Sequence, residues 1–492
     1  MRGSTVGISD NFKTKNRKHY VLLSFIDTFF SVFVVGPLVI TFWRGQWCLM
    51  DIYVCPAYPF ESATISFLVG IFGHYLLTIL QRPLTRNLHP ERHRLTFYVV
   101  SRLYTVYFGF SCVSFWRGAF LYLDIYTGTN IALVASSTAL SAVALTVLKT
   151  LRNISAPPFL VSMDSCQDYF QVQTMFRMAL LFKDACKCCE SPIRQDVIGR
   201  WLKLDYLKTP QEFSSKPNEK KEEATAVDGE ITVRISLGVT VIGSLVVFVW
   251  RGAWTILDIY LIPSSPDLSA WGSLVLGYGI VFFTFALQTP MKLVCNRLKG
   301  IPRLLVADIY LFLSFCGTVN VWRGIWNLLN IYFIPENLEL SYWVTYLVSL
   351  MILILLNCSN SILVRGVYID GEEEGGKCVV FPCYYLRLYF QTKRKERLQQ
   401  LQLDHLKKQL SVAGATCRKG DAEKGGCVDY PQLQGHSTGN HLQGATYGRP
   451  PRSGRPRRRT TAKDAQSNLS KSDDIKWAIV LLLAHGRELA NP

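Results

Sequence analysis

Charged residues are scarce in this chain of 492 residues. Asp, Glu, Lys and Arg together make up 18% of it, and apolar residues make up 49%. About a quarter of a soluble domain is usually charged, so this composition argues against a soluble globular protein. The apolar residues also gather in blocks near the roughly 20 residues that span a bilayer. The eight blocks are 20–42, 62–80, 95–115, 131–148, 231–249, 268–288, 304–321 and 341–364.

The chain also lacks the residue patterns typical of enzymes and metalloproteins. We find no nucleophile beside a base, no Cys and His spacing suited to zinc, and no glycine-rich phosphate loop. The first apolar block lacks a small-residue cleavage site and is interpreted as a signal anchor. We therefore expect no enzymatic activity, no cofactor and no metal.

Alternate loops contain few basic residues. The loops after the odd-numbered blocks hold one Arg each, whereas the other loops and both ends are rich in Lys and Arg. The positive-inside rule then places both termini in the cytoplasm. The net charge is +17, and the basic residues that cause it lie beside the apolar blocks. They therefore indicate contact with an anionic bilayer surface, and we expect no nucleic-acid partner.

One string, by contrast, is abundant. It is WRGQWCLMDIY at Trp43 and returns as WRGAFLYLDIY at Trp116, WRGAWTILDIY at Trp250 and WRGIWNLLNIY at Trp322. We number these copies 1 to 4. Copies 1 and 3 are 207 residues apart and copies 2 and 4 are 206 apart. This spacing predicts an all-α membrane protein with eight transmembrane helices in two parallel four-helix repeats.

The predicted organisation has five parts. A cytoplasmic N-terminus covers 1–19, and the first four-span repeat covers 20–148. A cytoplasmic linker with a Cys cluster covers 149–230. The second four-span repeat covers 231–364, and the tail at 365–492 is first helical and then disordered and basic.

Each copy of the motif sits at the outer end of a predicted span. The Trp fits the aromatic belt of a membrane interface, and Arg and Asp lie two helical turns apart on one side. Three roles stay open: an anchor that ends the helix, an external ring of Arg and Asp that binds an ion or ligand, and a contact for external proteins. The motif residues are Trp43, Arg44, Gly45 and Asp51; Trp116, Arg117, Gly118 and Asp124; Trp250, Arg251, Gly252 and Asp258; Trp322, Arg323, Gly324 and Asn330.

Four charged residues fall within or beside the predicted spans, where charge often marks function. Asp27 and Arg234 lie sixteen residues before their Trp, and Arg102 and Asp308 lie fourteen before theirs. We expect ion pairs between the halves, such as Asp27 with Arg102 or Arg102 with Asp308. The alternative is that all four extend to the inner membrane surface.

The cysteines suggest two modifications. Cys48 and Cys55 lie in the first external loop, where a disulfide could join them. Cysteines close to a membrane are candidates for palmitoylation, and these are Cys186, Cys188, Cys189, Cys378 and Cys383.

Four WRG and DIY units on eight predicted spans resemble the Fuseless family of eight-pass membrane proteins. The resemblance covers about 20–365, with Asn330 and Phe120 as departures from the repeated pattern. It implies a multi-pass protein of the presynaptic plasma membrane. Such a protein would organise voltage-gated calcium channels at active zones and support neurotransmitter release and synaptic transmission.

That function would place the partners, presynaptic scaffold or calcium-channel proteins, on the cytoplasmic segments, with the lipid bilayer around the spans. The alternative from the residues is a membrane transporter or channel with an external vestibule lined by Arg and Asp. Parallel repeats suit a transporter, but the spans offer few polar groups for a substrate.

Overall fold

The computed structural model describes residues 17–90, 92, 94–164, 169–170, 219–370, 373, 375–390, 393–394, 397–405 and 408–409. This part of the chain contains helices and no strand. The helices are α1 (Arg17–Phe30), α2 (Gly36–Tyr53), α3 (Pro59–Asn87), α4 (Arg94–Thr127), α5 (Ile131–Val147), α6 (Glu219–Tyr260), α7 (Pro266–Arg297), α8 (Gly300–Tyr332) and α9 (Leu338–Leu355). The prediction of an all-helical chain is confirmed for the described residues.

Six helices in the described part are long and apolar enough to cross a membrane. They are Val21–Tyr53, Pro59–Asn87, Thr240–Tyr260, Pro266–Arg297, Gly300–Tyr332 and Leu338–Leu355. Helix α5 is apolar but only 17 residues long, and α4 carries several charges along its 34 residues. The count of eight spans, the two-repeat packing and the placement of the termini stay predictions.

The helices pair in a regular way. The four most extensive helix contacts join α3 to α4, α5 to α6, α7 to α8, and α9 to α2. In each pair one helix carries a copy of the motif. The motif helices α2, α4, α6 and α8 also contact one another in that order, and α8 contacts α2. They form an inner ring, and α3, α5, α7 and α9 each lie against one of them.

The first span is interrupted by a π-helical turn. Helix α1 passes through Ser31–Val35 into α2, which begins with Gly36 and Pro37. A proline lacks the N–H for the usual helical hydrogen bond and crowds the preceding turn, which favours such a widening. Here the turn makes room for another part of the chain, because Ser31 Oγ bonds to the carbonyl of Pro158.

Two non-helical segments enter the bundle. The first axial segment, residues 148–164, follows α5, and the second, residues 356–370, 373 and 375–383, follows α9. Each opens with a residue at positive φ, Lys149 or Asn357, and then forms a 3-10 turn, Leu151–Ile154 or Ser359–Ile362. Both turns are buried, so these segments contribute to the core.

The chain divides at residue 390. The helices α1 to α9 and the axial segments belong to a compact unit that ends at Phe390, and a second unit runs from Gln391 to Pro492. Within the second unit, residues 397–405 are helical, as predicted for the start of the tail.

Candidate functional site

The arginines of the motif bind the acids of a different copy. Each Arg donates to the side chain seven residues after the Arg of the preceding copy. The contacts are Arg117 to Asp51 at 2.8 Å, Arg251 to Asp124 at 2.9 Å, Arg323 to Asp258 at 2.7 Å, and Arg44 to Asn330 at 2.8 Å. Copies 1 to 4 are therefore linked in a closed circle, which we call the Arg–Asp ring.

Copy 4 has Asn330 where the other copies have an aspartate, and this residue lies at the contact that closes the ring. Asn330 accepts a hydrogen bond from Arg44, which belongs to copy 1 on α2. The amide oxygen of Asn330 accepts the same guanidinium N–H that an aspartate accepts from Arg117 and Arg323. The hydrogen bond is thus kept at the closing contact, and the ion pair is absent there.

The guanidinium groups are buried, and the carboxylates are half-exposed. The four arginines are 0–3% exposed, while the side chains of Asp51, Asp124 and Asp258 are 45–48% exposed. A buried guanidinium needs partners for its remaining N–H groups. Hydroxyl groups of neighbouring helices supply them: Ser62 and Ser66 to Arg117, Ser269 and Ser273 to Arg323, Ser341 and Thr345 to Arg44, and Thr127 to Arg251.

The glycine of each motif marks the point where the outer helix crosses. A Cβ placed on Gly118 would lie 2.4 Å from the backbone nitrogen of Phe67. Gly45 and Gly324 meet backbone in the same way, and Gly252 meets the side chain of Thr138. Glycine is required at Gly45, Gly118 and Gly324 because the two backbones approach more closely than any side chain allows.

The tryptophans of the motif meet at the centre of the bundle. Their rings contact one another edge to face around a closed circle, which we call the Trp ring. Centroid distances are 5.4 Å for Trp43–Trp116, 5.8 Å for Trp116–Trp250, 5.4 Å for Trp250–Trp322 and 5.8 Å for Trp43–Trp322. The expectation that these indoles lie in a lipid-facing belt is wrong, because apolar burial and mutual packing hold them in the core.

A second aromatic layer lies one helical turn further along. Trp47 contacts Phe120 at 5.3 Å and Trp326 at 6.0 Å, and Trp254 contacts Trp326 at 5.8 Å. The motif tyrosines, by contrast, are well exposed, as expected of interfacial anchors. They are Tyr53, Tyr126, Tyr260 and Tyr332.

The axial segments accept hydrogen bonds from the Trp ring. The indole N–H of Trp43 donates to Ile362 O at 3.1 Å, that of Trp250 to Ile154 O at 2.9 Å, and that of Trp322 to Pro157 O at 2.7 Å. These bonds attach the inner ring to the segments that enter between its helices.

Two aspartates outside the motif hold the axial segments together. Asp370 accepts from the backbone N–H groups of Leu151 and Arg152. Asp164 accepts in the same way from Ser359 and Asn360. Each axial segment thus caps the 3-10 turn of the other. Burial raises the pKa of Asp370 to about 6, against the opposing effect of the two N–H groups.

The charges predicted to pair across the halves bind other partners. Asp27 accepts from Arg387 at 2.7 Å and from two backbone N–H groups at the start of the helical residues 385–390. Arg102 binds Asp164. The predicted pairs of Asp27 with Arg102 and Arg102 with Asp308 are therefore wrong. The partner of Arg102 comes from the first axial segment, and the partner of Asp27 comes from the chain after the second.

The other two charged residues of the predicted spans are Asp308 and Arg234. Asp308 is 7% exposed, and its Oδ1 has no hydrogen-bond partner among the described residues. Arg234 lies in helix α6, and its side chain is outside the described part of the structure.

The cysteine expectations have mixed outcomes. Cys48 and Cys55 are free in this structure, so the suggested disulfide is not formed. Cys378 and Cys383 are buried, and burial raises the pKa of Cys383 to about 12. Both properties argue against palmitoylation there, since lipid transfer needs an accessible thiolate. Cys186, Cys188 and Cys189 lie outside the described residues.

Sequence reasoning missed Asp164, Asp370 and Arg387. All three follow the predicted spans, in segments that their Lys and Arg content predicts to be cytoplasmic. The sequence contained one signal for these segments. After both α5 and α9 a leucine is followed by the residue that adopts a positive φ, either Lys149 or Asn357.

Comparison with models of protein families gives a match. The family described as Fuseless matches residues 22–201 and 203–363. No curated protein and no solved structure matches the chain. The matched residues include all four copies of the motif and the first axial segment.

Proposed function

The chain belongs to the Fuseless family, and from this premise we propose that it is a non-enzymatic, multi-pass protein of the presynaptic plasma membrane. It organises voltage-gated calcium channels at active zones and so supports neurotransmitter release and synaptic transmission. Its partners are channel or scaffold proteins that bind its cytoplasmic segments.

The Arg–Asp ring is the observation that favours an organiser over a transporter. Every motif arginine is buried and bound to another copy. A vestibule that attracts ions would need such charges to face water. Here the motif arginines join neighbouring helices of the bundle. The membrane part is therefore suited to act as a rigid scaffold for the cytoplasmic segments.

Coexpression with a voltage-gated calcium channel tests this function. The full chain should increase the clustering of the channel at the surface, and a variant ending at Phe390 should not. That variant keeps the whole compact unit of the bundle, and matched surface levels of the two proteins serve as the control. A full effect from the shortened variant would contradict a role of the tail after Phe390 and locate the activity in the preceding chain, the linker at 149–230 included.

A transporter or channel remains the second candidate because the three ring aspartates are half-exposed. The test is whole-cell recording from non-neuronal cells that express the protein alone, over a range of voltages and external ions. A current that changes its ion dependence in Asp51→Asn, at equal surface level, would support conduction. Absence of any new current would favour the organiser.

A further inference from the structure

A cavity of about 240 Å³ lies between the Trp ring and the axial segments. Its walls include Trp43, Trp116, Trp250 and Trp322 on one side and Ala156 on the other. An apolar cavity of about 150 Å³ is enough for one benzene ring. This cavity is therefore large enough for a molecule of two fused rings.

Two polar groups in the cavity wall lack a partner. Trp116 is the one member of the Trp ring whose buried indole N–H has no hydrogen-bond acceptor in the described structure. Ser155 is 7% exposed, and its hydroxyl likewise has none there. Leaving a buried polar group unpaired is unfavourable, because the group loses its hydrogen bonds to water without replacing them. Since the other three indoles are all satisfied, these two groups indicate where a ligand would bind.

The lining also indicates the charge of the ligand. None of the residues that line the cavity is Asp, Glu, Lys or Arg. An ion placed there would lose its hydration without gaining a counter-charge. A mainly apolar molecule would instead be held by the aromatic walls, and one acceptor oxygen on it would pair the unpaired N–H and hydroxyl groups.

We infer that this cavity is a binding site for a small, uncharged, mainly aromatic molecule that carries one carbonyl-type oxygen. The oxygen accepts hydrogen bonds from Trp116 and Ser155, and the rings pack against the tryptophans. The site is independent of the proposed function, because neither calcium channels nor the cytoplasmic segments take part in it.

The test uses 1-tetralone and tetralin, two bicyclic probes that differ by the carbonyl group. Binding to the full-length chain in nanodiscs is measured by calorimetry, with empty nanodiscs subtracted. We expect saturable binding of 1-tetralone, about five- to hundredfold tighter than that of tetralin, which is the range for two neutral hydrogen bonds. Ser155→Ala and Trp116→Phe should each reduce this ratio.

Two matched variants distinguish binding of the probes in the cavity from their partitioning into the lipid. Ala156→Leu fills the cavity and should abolish binding of both probes. Ala132→Leu makes the same change on the exposed face of α5 and should leave binding unchanged. Equal affinity for the two probes in wild type, or binding that Ala156→Leu does not alter, would overturn the inference. If Ala156→Leu fails to fold, an unchanged ratio in Ser155→Ala and Trp116→Phe would overturn it.

Discussion

At the scale of single residues, the motif arginine acts between copies. Arg and Asp of one copy are seven residues apart on one helix, a rise of about 10 Å, which is beyond direct hydrogen bonding along the helix. Arg117 reaches Asp51 on the neighbouring helix instead, at 2.8 Å. The seven-residue offset, which recurs in all four copies, thus sets the height at which two neighbouring helices meet.

A double-mutant cycle tests this pairing. Arg117→Met combined with Asp51→Asn should show a coupling of about 1 kcal/mol, the range for a pair with one half-exposed member. Arg117→Met combined with Asp124→Asn should show almost none, because Asp124 binds Arg251. The measurement is the free energy of unfolding in detergent. Stronger coupling with Asp124 would place the pair within one copy.

Asn330 offers a gain of stability at the closing contact of the ring. Asn330→Asp would place a carboxylate against the guanidinium of Arg44, which has Asn330 where the other arginines have an acid. We expect the unfolding temperature to rise by a few degrees, which corresponds to about 1 kcal/mol. Asn330→Leu is the control and should lower it, since Arg44 then loses an acceptor. A fall for both variants would mean that burying the carboxylate costs more than the ion pair returns.

At the scale of helices, the packing depends on where two backbones can touch. The inner helices α2, α4, α6 and α8 each place the motif glycine under an outer helix. Close approach there brings the serine and threonine hydroxyls within reach of the arginines. Van der Waals packing at small residues is a main source of helix association in a bilayer, where lipid is as apolar as the side chains.

Substitution of glycine should therefore be harmful only at a crossing. Gly118→Ala would place a Cβ 2.4 Å from the backbone of Phe67, while Gly279→Ala meets no atom within 4 Å. We expect Gly118→Ala to reduce the folded, surface-delivered protein several-fold. Gly279→Ala should leave it unchanged or raise it slightly, because Ala favours a helix over Gly by up to about 1 kcal/mol. Surface biotinylation provides the measurement, and equal losses in the two variants would contradict the crossing argument.

At the scale of the whole molecule, the loops at the two ends of the bundle differ in their content of basic residues. The motif ends of the inner helices lie in loops that hold almost no Lys or Arg, and the opposite loops are basic. The positive-inside rule therefore predicts that the Asp side of the Arg–Asp ring faces the outside of the cell and the basic loops face the inside.

Cysteine labelling tests that orientation. In a chain with Cys48→Ser and Cys55→Ser, the exposed loop residues Ser264 and His89 are each replaced by Cys. A membrane-impermeant maleimide should label Ser264→Cys on intact cells and His89→Cys only after permeabilisation. The parent chain without either replacement gives the background. Labelling of His89→Cys on intact cells would reverse the topology.

The sequence by itself determined the helical membrane class, the four motif copies and the family resemblance. These follow from local features, because apolar length and short repeated strings are read along the chain. It also indicated that Arg, Asp and Gly matter at each copy. It did not indicate the partner of any charge, since four similar copies leave several pairings open.

Only the tertiary structure decided those partners. Ring closure depends on α8 packing against α2, a contact between helices far apart in the sequence that no local pattern encodes. The same contact brings Arg44 to Asn330. The tryptophans were assigned to the membrane interface because Trp is common there, yet the closed ring of helices places them on its inner side. The axial segments were missed because a polar stretch can be buried when its N–H groups and charges are paired, as Asp164 and Asp370 pair them.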